Sequence, residues 1–542
     1  MKYQTKYLTL SFLLSAKQLT KLITATCCCL AMLSAQAGPF KNASQARVDY
    51  SKTNLAAKQS CQSMLSFTTV EFSVISAELI NDTCRVTGVI PSEIRFEVNL
   101  PNAWNGRFMM TGNGGLAGQP LEDSEYQRQR DIVLAQGFAN AYTDTGHDNR
   151  VEPGATFAYN NLHKLIDYGY RGIHLTNQTA RVLIQHYYRK APSYSYFMGC
   201  SNGGRQALMS AQRFPKDFDG ILAGAPANDF TGLKFSQAHR MNALKDKPLN
   251  LKEVGVLAEH ILARYDKLDG LEDKLISDPR TCDFDPLQHL PLCSAGTKDA
   301  ADCFNTEELD ALQAYYSPVI LAGEEVYAGY PLGSELSGPS YNNQVASGWV
   351  PWVINEQGRP LMDILGADFF RYIVSVEDDP GYAWTSFDFK SEPSNLTQAR
   401  AILDAVNPDL SAFAANGGKL LSYIGWADPD ISPLTAISYH DQVNQQSHKP
   451  ANDFYRLFLV PGMFHCSGGP GPTDFDAISP LIEWVEKGLK PERIEAQAMR
   501  VTEGVESIAF SRPLCPHPLR AVYQDGEPSA TAYQKADNFA CQ

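Results

Sequence analysis

The chain has 542 residues, 44% of them hydrophobic, and its formal net charge is -14 at pH 7. This length and apolar share suffice for a large packed core that carries an insertion. The negative charge argues against nucleic acid and anionic membrane surfaces as partners, because both require a positive field.

The first 37 residues have the pattern of a signal peptide. Lysines up to Lys21 precede an apolar run at residues 22–33, and Ala35-Gln36-Ala37 offers small residues to a signal peptidase. The run is too short to cross a bilayer, and no later stretch of about 18 apolar residues follows. We expect a secreted or periplasmic protein with no membrane partner, whose mature chain begins near Gly38. A lipoprotein is a weaker alternative, because no small-residue lipobox precedes Cys27, Cys28 or Cys29.

Strand-like and helix-like segments alternate from about residue 94 to residue 227, which is typical of a parallel sheet with crossover helices. Strand candidates begin at Arg95, Arg107, Phe138, Tyr194 and Ile221, and a helix candidate spans residues 174–188. The alternation stops between about residues 228 and 406 and then resumes. We therefore predict an α/β fold, with a mostly parallel sheet and helices on both faces, built from residues 38–227 and 407–542. Residues 228–406 are predicted to form an inserted lid domain.

The pentad Gly199 to Gly203 carries the first chemical signal. It follows a strand candidate and precedes a helical pattern, which is the setting of a nucleophile elbow. Its glycines permit a sharp turn that exposes Ser201, and the helix N-terminus favours negative charge at that point. We predict that Ser201 is the nucleophile of a serine hydrolase.

A serine nucleophile needs a histidine base that an acid orients, and in this architecture both follow the serine after later strands. Asp428 ends KLLSYIGWAD, and His465 ends FYRLFLVPGMFH. Asp430 competes for the role of the acid, but the turn in GWADP favours Asp428. His147 precedes the serine and His440 lies in a predicted helix, so we interpret both as structural or surface residues.

The oxyanion formed by attack on an ester needs two backbone N–H donors. Asn202, directly after the nucleophile, is the expected source of one donor. The glycine-rich loop TGNGGLAG after an early strand is the expected source of the other, with Gly114 and Gly115 as candidates. An ordinary glycine-rich turn is the alternative interpretation of this loop.

Nine cysteines follow the predicted signal segment, so at least one is free or paired elsewhere. Cys200 precedes Ser201 and Cys466 follows His465, so a triad that closes in space brings their sulfurs close together. The alternative is that Cys200 is a small buried apolar residue. Three further pairs are plausible because their members lie near each other in sequence: Cys61 with Cys84, Cys293 with Cys303, and Cys515 with Cys541.

These motifs resemble the tannase and feruloyl esterase family of α/β-hydrolases, which also contains terephthalate monoester hydrolases. The resemblance covers most of the mature chain and depends on five segments: GNGG at 112–115, YTDTGH at 142–147, GCSNGGRQ at 199–206, GWADPDISP at 425–433 and PGMFHC at 461–466. It implies a Ser201, Asp428 and His465 triad with a Cys200 to Cys466 disulfide. Phe464 stands where the family usually has glycine, a change that can narrow the site but leaves the triad intact.

The acidic loop DKLDGLEDKL lies in the predicted lid. Carboxylates of Asp266, Asp269 and Asp273 and backbone carbonyls of Leu271 and Leu275 are oxygen donors suited to calcium, but a solvated acidic turn is equally compatible with the residues alone. The resemblance implies a structural Ca²⁺ here and no organic cofactor. Relatives often have a cysteine at the position of Tyr265 that pairs with the position of Cys282, so Cys282 is the expected free thiol.

The resemblance implies a serine carboxylesterase whose small-molecule substrate is an ester of a hydroxycinnamic or gallic acid. A terephthalate monoester hydrolase or another carboxylesterase is the alternative, and an inactive binding protein is a remote one because all three triad residues are present. Aromatic residues of the lid are candidates for stacking on a substrate ring: Trp349, Trp352, Trp384 and Phe389. No arginine for a substrate carboxylate can be chosen among Arg359, Arg371 and Arg400.

Overall fold

A nine-stranded sheet forms the centre of the molecule. The structure is a computed structural model that describes residues 40–50, 55–246, 249–294, 302–335, 348–355, 358–374, 381–502, 505–524 and 532–542. The predicted signal segment lies outside the described residues, so export stays a prediction. Within these ranges, no helix has both the length and the apolar character needed to cross a membrane.

The sheet combines a large parallel part with an antiparallel edge. Its strands are β1 Ser73–Ile80, β2 Thr83–Ile90, β3 Ile94–Pro101, β4 Arg107–Thr111, β5 Ala139–Thr143, β6 Tyr194–Cys200, β7 Gly220–Gly224, β8 Lys419–Gly425 and β9 Tyr455–Val460. Their spatial order is β9-β8-β7-β6-β4-β5-β3-β2-β1. Neighbours from β9 to β5 pair in parallel, whereas β1, β2 and β3 pair antiparallel and join the sheet at β5. The sequence analysis predicts the parallel part but not strands β1 and β2.

Side chains of the parallel strands enter two separate cores, because successive residues of a strand point to opposite faces. In β4, Met109 packs into one core, and Phe108 and Met110 pack into the other. Both faces are buried, which explains the nearly continuous apolar runs of these strands.

Helices cover the sheet on both sides. The helices of the core and the insertion include α1 Ser124–Ala135, α2 Leu162–Ile166, α3 Gly172–Tyr188, α4 Asn202–Arg213, α5 Phe230–Leu244, α6 Leu251–Tyr265, α7 Pro286–His289, α8 Thr306–Tyr316, α9 Leu361–Tyr372, α10 Leu396–Leu403, α11 Ser411–Ala415, α12 Pro433–Gln446 and α13 Ile478–Lys487, and a short turn of helix spans Trp349–Trp352. Apolar side chains of α1 and α13 belong to the core on one face, and those of α3, α4 and α12 belong to the core on the other.

The insertion leaves the sheet after β7 and returns before β8. Helix α5 is its central element and packs against α8, α9 and α10. The two ends of the insertion meet at the start of α5, where the Ala405 N–H donates to the Asn228 carbonyl at 2.8 Å. The Asp404 carboxylate accepts from the N–H of Thr231 at 2.9 Å and from its hydroxyl at 2.8 Å. These contacts lie at the bounds predicted from sequence, although the division into core and lid remains a prediction.

Short antiparallel pairs complete the described fold. Ile494–Thr502 and Val505–Leu514 form a C-terminal hairpin, and the other pairs are Leu55–Ala56 with Ala103–Trp104, Val319–Leu321 with Glu324–Tyr327, and Ala521–Tyr523 with Phe539–Cys541. Disulfides join Cys61 to Cys84, Cys200 to Cys466, Cys293 to Cys303 and Cys515 to Cys541, which are the four pairs suggested by the sequence. Cys282 is the free cysteine among the described residues.

Candidate active site

Ser201 occupies a sharp turn between the end of β6 and the start of α4. Its backbone φ of 62° lies in the left-handed region, which costs a residue other than glycine about 1–3 kcal/mol. The Ser201 N–H donates to the Gly224 carbonyl at 3.0 Å, and the Ser201 carbonyl accepts from the Ala227 N–H at 3.1 Å. These bonds to the end of β7 hold the strained turn that presents the hydroxyl.

Glycines let three backbone segments meet at this turn. A Cβ atom on Gly199 would lie 2.7 Å from the carbonyl carbon of Gly203, and one on Gly112 would lie 2.9 Å from the Gly203 Cα. Real Cβ atoms do not approach backbone this closely. The glycines therefore bring β6, α4 and the loop after β4 into direct contact.

Asp428 and His465 are brought together at the ends of β8 and β9. His465 Nδ1 lies 2.8 Å from Asp428 Oδ2, and Oδ1 of Asp428 accepts from the N–H groups of Asp430 and Ile431 at 2.9 Å. The Asp430 side chain instead accepts from the amide of Gln237 at 2.8 Å. Between the two candidate acids, the structure therefore places Asp428 against the histidine.

Burial and charge act in opposite directions on His465. Burial lowers its pKa, but the charge and the hydrogen bond of Asp428, with a smaller contribution from the charge of Asp430, raise it above its ordinary value of 6.5. Asp428 is 1% exposed, so solvent screens its effect on the imidazole very little. The histidine ring is thus oriented and made more basic by the same carboxylate.

A disulfide joins the loops that carry Ser201 and His465. Cys200 and Cys466 are bonded, with their Cα atoms 6.0 Å apart, across a sequence separation of 266 residues. Because β7 and β8 lie between β6 and β9, the bond spans the carboxyl ends of two intervening strands. It holds the serine loop near the Asp428 and His465 pair.

The glycine loop after β4 lies against the start of α4. The Asn113 N–H donates to the Gln206 side chain at 2.9 Å. The Tyr168 hydroxyl lies 3.2 Å from the Gly115 carbonyl and 3.1 Å from Asn202 Oδ1, which ties the loop to the residue after Ser201. Asn202 is the first residue of α4, a position whose N–H has no partner within the helix. Gly114 and Gly115 thus lie on the loop held beside this free donor.

Comparison with known proteins identifies the family of this fold and site. The sequence profile described as Tannase and feruloyl esterase matches residues 78–542. The chain belongs to the tannase and feruloyl esterase family. It is therefore a carboxylic ester hydrolase.

Individual relatives cover most of this esterase. A mono(2-hydroxyethyl) terephthalate hydrolase of Piscinibacter sakaiensis is 33% identical, over 86% of this chain and 86% of that protein. A probable feruloyl esterase B-1 of Aspergillus flavus is 30% identical, over 82% of this chain and 84% of the relative. The crystal structure of an esterase from Aspergillus oryzae superposes with a TM-score of 0.75 and 26% identity, covering 89% of this chain and 99% of that one. The predicted α/β-hydrolase fold is confirmed.

Three residues contact the candidate site in ways that the sequence did not predict. Arg205 is fully buried and donates to Asn202 Oδ1 at 2.8 Å, and Tyr168 stacks beneath its guanidinium at 4.8 Å. Arg205 lies within the GCSNGGRQ motif, whereas nothing in the sequence around Tyr168 marks it. The Trp352 ring lies edge-on to the His465 ring, with centroids 4.9 Å apart. Of the four candidate lid aromatics, Trp352 is therefore the one in contact with a triad candidate.

The remaining lid candidates have partners of their own. Trp349 and Trp384 are 1% and 4% exposed, and Phe389 packs against Phe387 with ring centroids 5.0 Å apart. The three candidate arginines each pair with a neighbouring carboxylate: Arg359 with Asp363, Arg371 with Asp368 and Arg400 with Glu392. The two alternative histidines, His147 and His440, are buried, and burial is the main cause that lowers the pKa of each to about 4.

The acidic loop after α6 gathers three carboxylates beside the C-terminal hairpin. Asp266 accepts from the N–H of Lys274 at 2.8 Å, Asp269 accepts from the N–H of Leu271 at 3.0 Å, and Asp273 pairs with Arg512 at 2.7 Å. Burial raises the pKa of Asp273 to about 6, Arg512 opposes the rise, and the charges of Asp269 and Asp266 add to it. Calcium at this loop stays a prediction: oxygen donors suit the ion, but among the described residues these three carboxylates do not form a group of ligand atoms within 4.8 Å of one another. Tyr265 donates to Asp283 at 3.0 Å, in the region where Cys282 stands unpaired.

Removing the Cys200–Cys466 bond should impair both stability and rate. We expect Cys200→Ala/Cys466→Ala to lose up to about 4–5 kcal/mol of unfolding free energy, because the bond closes a long loop. We expect kcat to fall by roughly 100-fold, since small displacements of catalytic groups are costly. Denaturant unfolding and ester hydrolysis measure the two effects.

The matched control is Cys293→Ala/Cys303→Ala, which removes a disulfide whose members are 10 residues apart. It should lower stability while leaving kcat nearly unchanged. Equal losses of kcat in the two double variants would contradict a special role of the bond between the serine and histidine loops.

The pH dependence of hydrolysis should report the raised pKa of His465. Only the neutral imidazole accepts a proton, so kcat/KM should rise with pH through an apparent pKa above 6.5. Asp430→Asn should move this acid limb to lower pH while the rate at high pH is nearly kept. Asp428→Asn should instead lower kcat by about 10⁴-fold at every pH, because the imidazole loses its orientation. If neither substitution changes the apparent pKa of the acid limb, the assignment of His465 as the base is contradicted.

Proposed function

We propose that the protein is a secreted serine carboxylesterase that hydrolyses esters of aromatic acids, of the hydroxycinnamic or gallic type, through Ser201, His465 and Asp428. One observation carries the proposal. The Asp428–His465 pair at 2.8 Å is bound by a disulfide to the strained turn that presents Ser201. The proposed nucleophile, base and orienting acid therefore all lie at the carboxyl ends of the parallel strands.

The proposed reaction proceeds in two halves. His465 Nε2 accepts the hydroxyl proton as Ser201 Oγ attacks the ester carbonyl carbon, while Asp428 stabilises the resulting imidazolium through Nδ1. The N–H of Asn202 and one N–H from Gly114 or Gly115 stabilise the oxyanion. The intermediate then expels the alcohol, which takes the proton from His465 and leaves an acyl group on Ser201. Water, deprotonated by His465, attacks this acyl-enzyme and releases the acid.

The substrate class follows from the relatives and from the arginines of the lid. The family name and the names of the relatives refer to esters of gallic, ferulic and terephthalic acids, all of which have an aromatic acyl group. A terephthalate monoester also carries a free carboxylate, which needs an unpaired cation. The three candidate arginines are already paired with carboxylates, which favours an uncharged acyl ring. Terephthalate monoester hydrolysis stays the second candidate because of the 33% identical relative.

Export is supported by the cysteines. Four disulfides are present among the described residues, and such bonds persist in oxidising compartments. The pattern at residues 1–37 is that of a signal peptide. We therefore place the mature esterase in the periplasm or outside the cell.

We also propose that the acidic loop binds a structural Ca²⁺. The carboxylates of Asp266, Asp269 and Asp273 and the carbonyls of Leu271 and Leu275 would hold the ion, which would neutralise the clustered negative charge. The loop joins α6 to the C-terminal hairpin through the Asp273–Arg512 pair, so the ion would stabilise this junction. It has no role in the chemical steps.

Replacing Ser201 tests the nucleophile. Ser201→Ala should lower kcat by roughly 10⁶-fold on a p-nitrophenyl ester, because no other group can form the acyl-enzyme. Ser210→Ala is the matched control, since it removes a buried hydroxyl from helix α4, which follows Ser201, and that hydroxyl donates to the Gln206 carbonyl at 2.8 Å. Similar rates for Ser201→Ala and Ser210→Ala would contradict the proposed mechanism.

A panel of esters tests the substrate class. We expect kcat/KM to be highest for methyl ferulate, methyl gallate or chlorogenate, and lower for mono(2-hydroxyethyl) terephthalate. A preference for the terephthalate monoester would select the second candidate. A preference for short aliphatic esters over all aromatic ones would show that the proposed acyl group is wrong.

Chelation tests the calcium proposal. EGTA should lower Tm, and added Ca²⁺ should restore it, because an ion bound only to the folded state stabilises that state. Asp273→Asn should abolish the response to calcium. The exposed neighbour Glu272, which pairs with Lys267, provides the control, and Glu272→Gln should keep the full response. An unchanged calcium response in Asp273→Asn would place any bound ion elsewhere.

A further inference from the structure

A group of candidate metal-binding side chains contains neither a triad residue nor a carboxylate of the acidic loop. His440 and Asp441 are on α12, and His517 lies in the turn after the C-terminal hairpin. One ligand atom from each residue lies within 4.8 Å of the others. Asp441 Oδ1 is 3.2 Å from His517 Nε2 and 3.6 Å from His440 Nδ1.

His440 is the unusual member of this group. It is 3% exposed, and its ring nitrogens make no hydrogen bond of normal length to the described residues, although the Asp441 carboxylate and the Tyr455 backbone interact weakly with the ring. The ring packs edge-on against Tyr455 and His517, with centroids 4.9 and 5.3 Å away. A buried imidazole with only weak partners loses the hydrogen bonds that water gave it, so a ligand that occupies a ring nitrogen would recover this loss.

A weakly partnered buried histidine is not by itself a metal site. His147 also has two ring nitrogens without a hydrogen bond of normal length, but it stacks on Phe157 at 4.0 Å and belongs to no group of three metal-binding side chains within the described residues. His440 differs because a carboxylate and a second imidazole converge on it. This convergence, rather than burial alone, indicates a ligand.

The position of His517 is fixed before any ion binds. Its N–H donates to the Leu457 carbonyl on β9 at 2.7 Å, and Pro516 forms a bridge with Phe458. The Cys515–Cys541 disulfide anchors the same turn two residues earlier. The Asp441 side chain is 51% exposed, which gives an ion access from solvent.

We propose that His440, Asp441 and His517 bind one Zn²⁺ ion through His440 Nδ1, Asp441 Oδ1 and His517 Nε2. Ligand atoms about 2.0–2.1 Å from a tetrahedral Zn²⁺ are separated by roughly 3.3 Å, which agrees with the spacing of the carboxylate from both imidazoles. Two imidazoles and one carboxylate suit zinc better than calcium, which prefers oxygen ligands only. Because the Asp441 side chain is 51% exposed, water could supply a fourth ligand.

Neighbouring charges are compatible with a cation. Arg280, Arg512 and Arg520 line the same cavity as His517, and two of them are paired with carboxylates: Arg280 with Asp278 and Arg512 with Asp273, each at 2.7 Å. The ion would join α12 of the core to the segment that follows the hairpin. The same hairpin carries Arg512, the partner of Asp273. The zinc ion would therefore add a second connection between the C-terminal part of the chain and the rest of the fold.

Zinc titration of the metal-stripped esterase tests the site. Calcium is kept in excess throughout, so that the acidic loop does not compete, and zinc alone is added against a chromophoric chelator. We expect one Zn²⁺ per chain, an increase in Tm on binding, and a Co²⁺ spectrum with the visible bands of a tetrahedral site.

Two variants and a control make the test specific. Asp441→Asn and His517→Gln should each weaken zinc binding by about 100-fold, since each removes one of three protein ligands. Asp310→Asn removes an exposed carboxylate from helix α8 and should leave the affinity unchanged. Because the Asp441 side chain is exposed, the Asp441→Asn variant should hydrolyse esters at the wild-type rate. That rate would show that the fold of the variant is intact. Absence of stoichiometric zinc in the wild type, or equal zinc affinity in the wild type and Asp441→Asn, would overturn the proposal.

Discussion

The Cys200–Cys466 disulfide joins two loops that the chain separates by 266 residues and the sheet separates by two strands. Hydrogen bonds within a parallel sheet fix the strands, but they end where the strands end. The loops beyond need another constraint if their side chains are to meet with catalytic accuracy. A covalent bond between the residues flanking Ser201 and His465 supplies it. Both Ser201 and Cys466 have positive φ values, so each loop is also held in a conformation that a free chain rarely adopts.

Polar contacts behind the site carry out the finer positioning. Both oxygens of Asp428 are used, one by two backbone N–H groups and the other by His465, so this carboxylate has little freedom to rotate. Asn202 is held in the same way by Tyr168 and Arg205. Buried networks of this kind are stabilising only when their members are satisfied, which here also fixes the orientation of the Asp428 and Asn202 side chains. Local strain at Ser201 is thus offset by well-bonded neighbours.

Much of the core was predictable because local sequence determines it. The apolar runs of the parallel strands, the glycines of the pentad and the strand-end positions of Asp428 and His465 are each visible within about ten residues. Tyr168 was not predictable as a site residue, and Trp352 could not be singled out from the four lid aromatics, because their contacts with Asn202 and His465 exist only in the folded chain. Sequence also cannot separate a buried lid tryptophan such as Trp349 from one that faces a substrate. The contact between the His440 and His517 rings could not be predicted for the same reason, because the two residues lie on segments that only tertiary packing brings together.

The hydrogen bond between Ala405 and Asn228 closes the insertion at its base, beside the Asp404 contact with Thr231. The chain therefore leaves the sheet and returns to it at one point. The closed base fixes both ends of the insertion beside β7 and β8, which pair in parallel from Gly220 with Lys419 to Gly224 with Tyr423. Two strands that the chain separates by the whole insertion are in this way brought next to each other by contacts between its two ends.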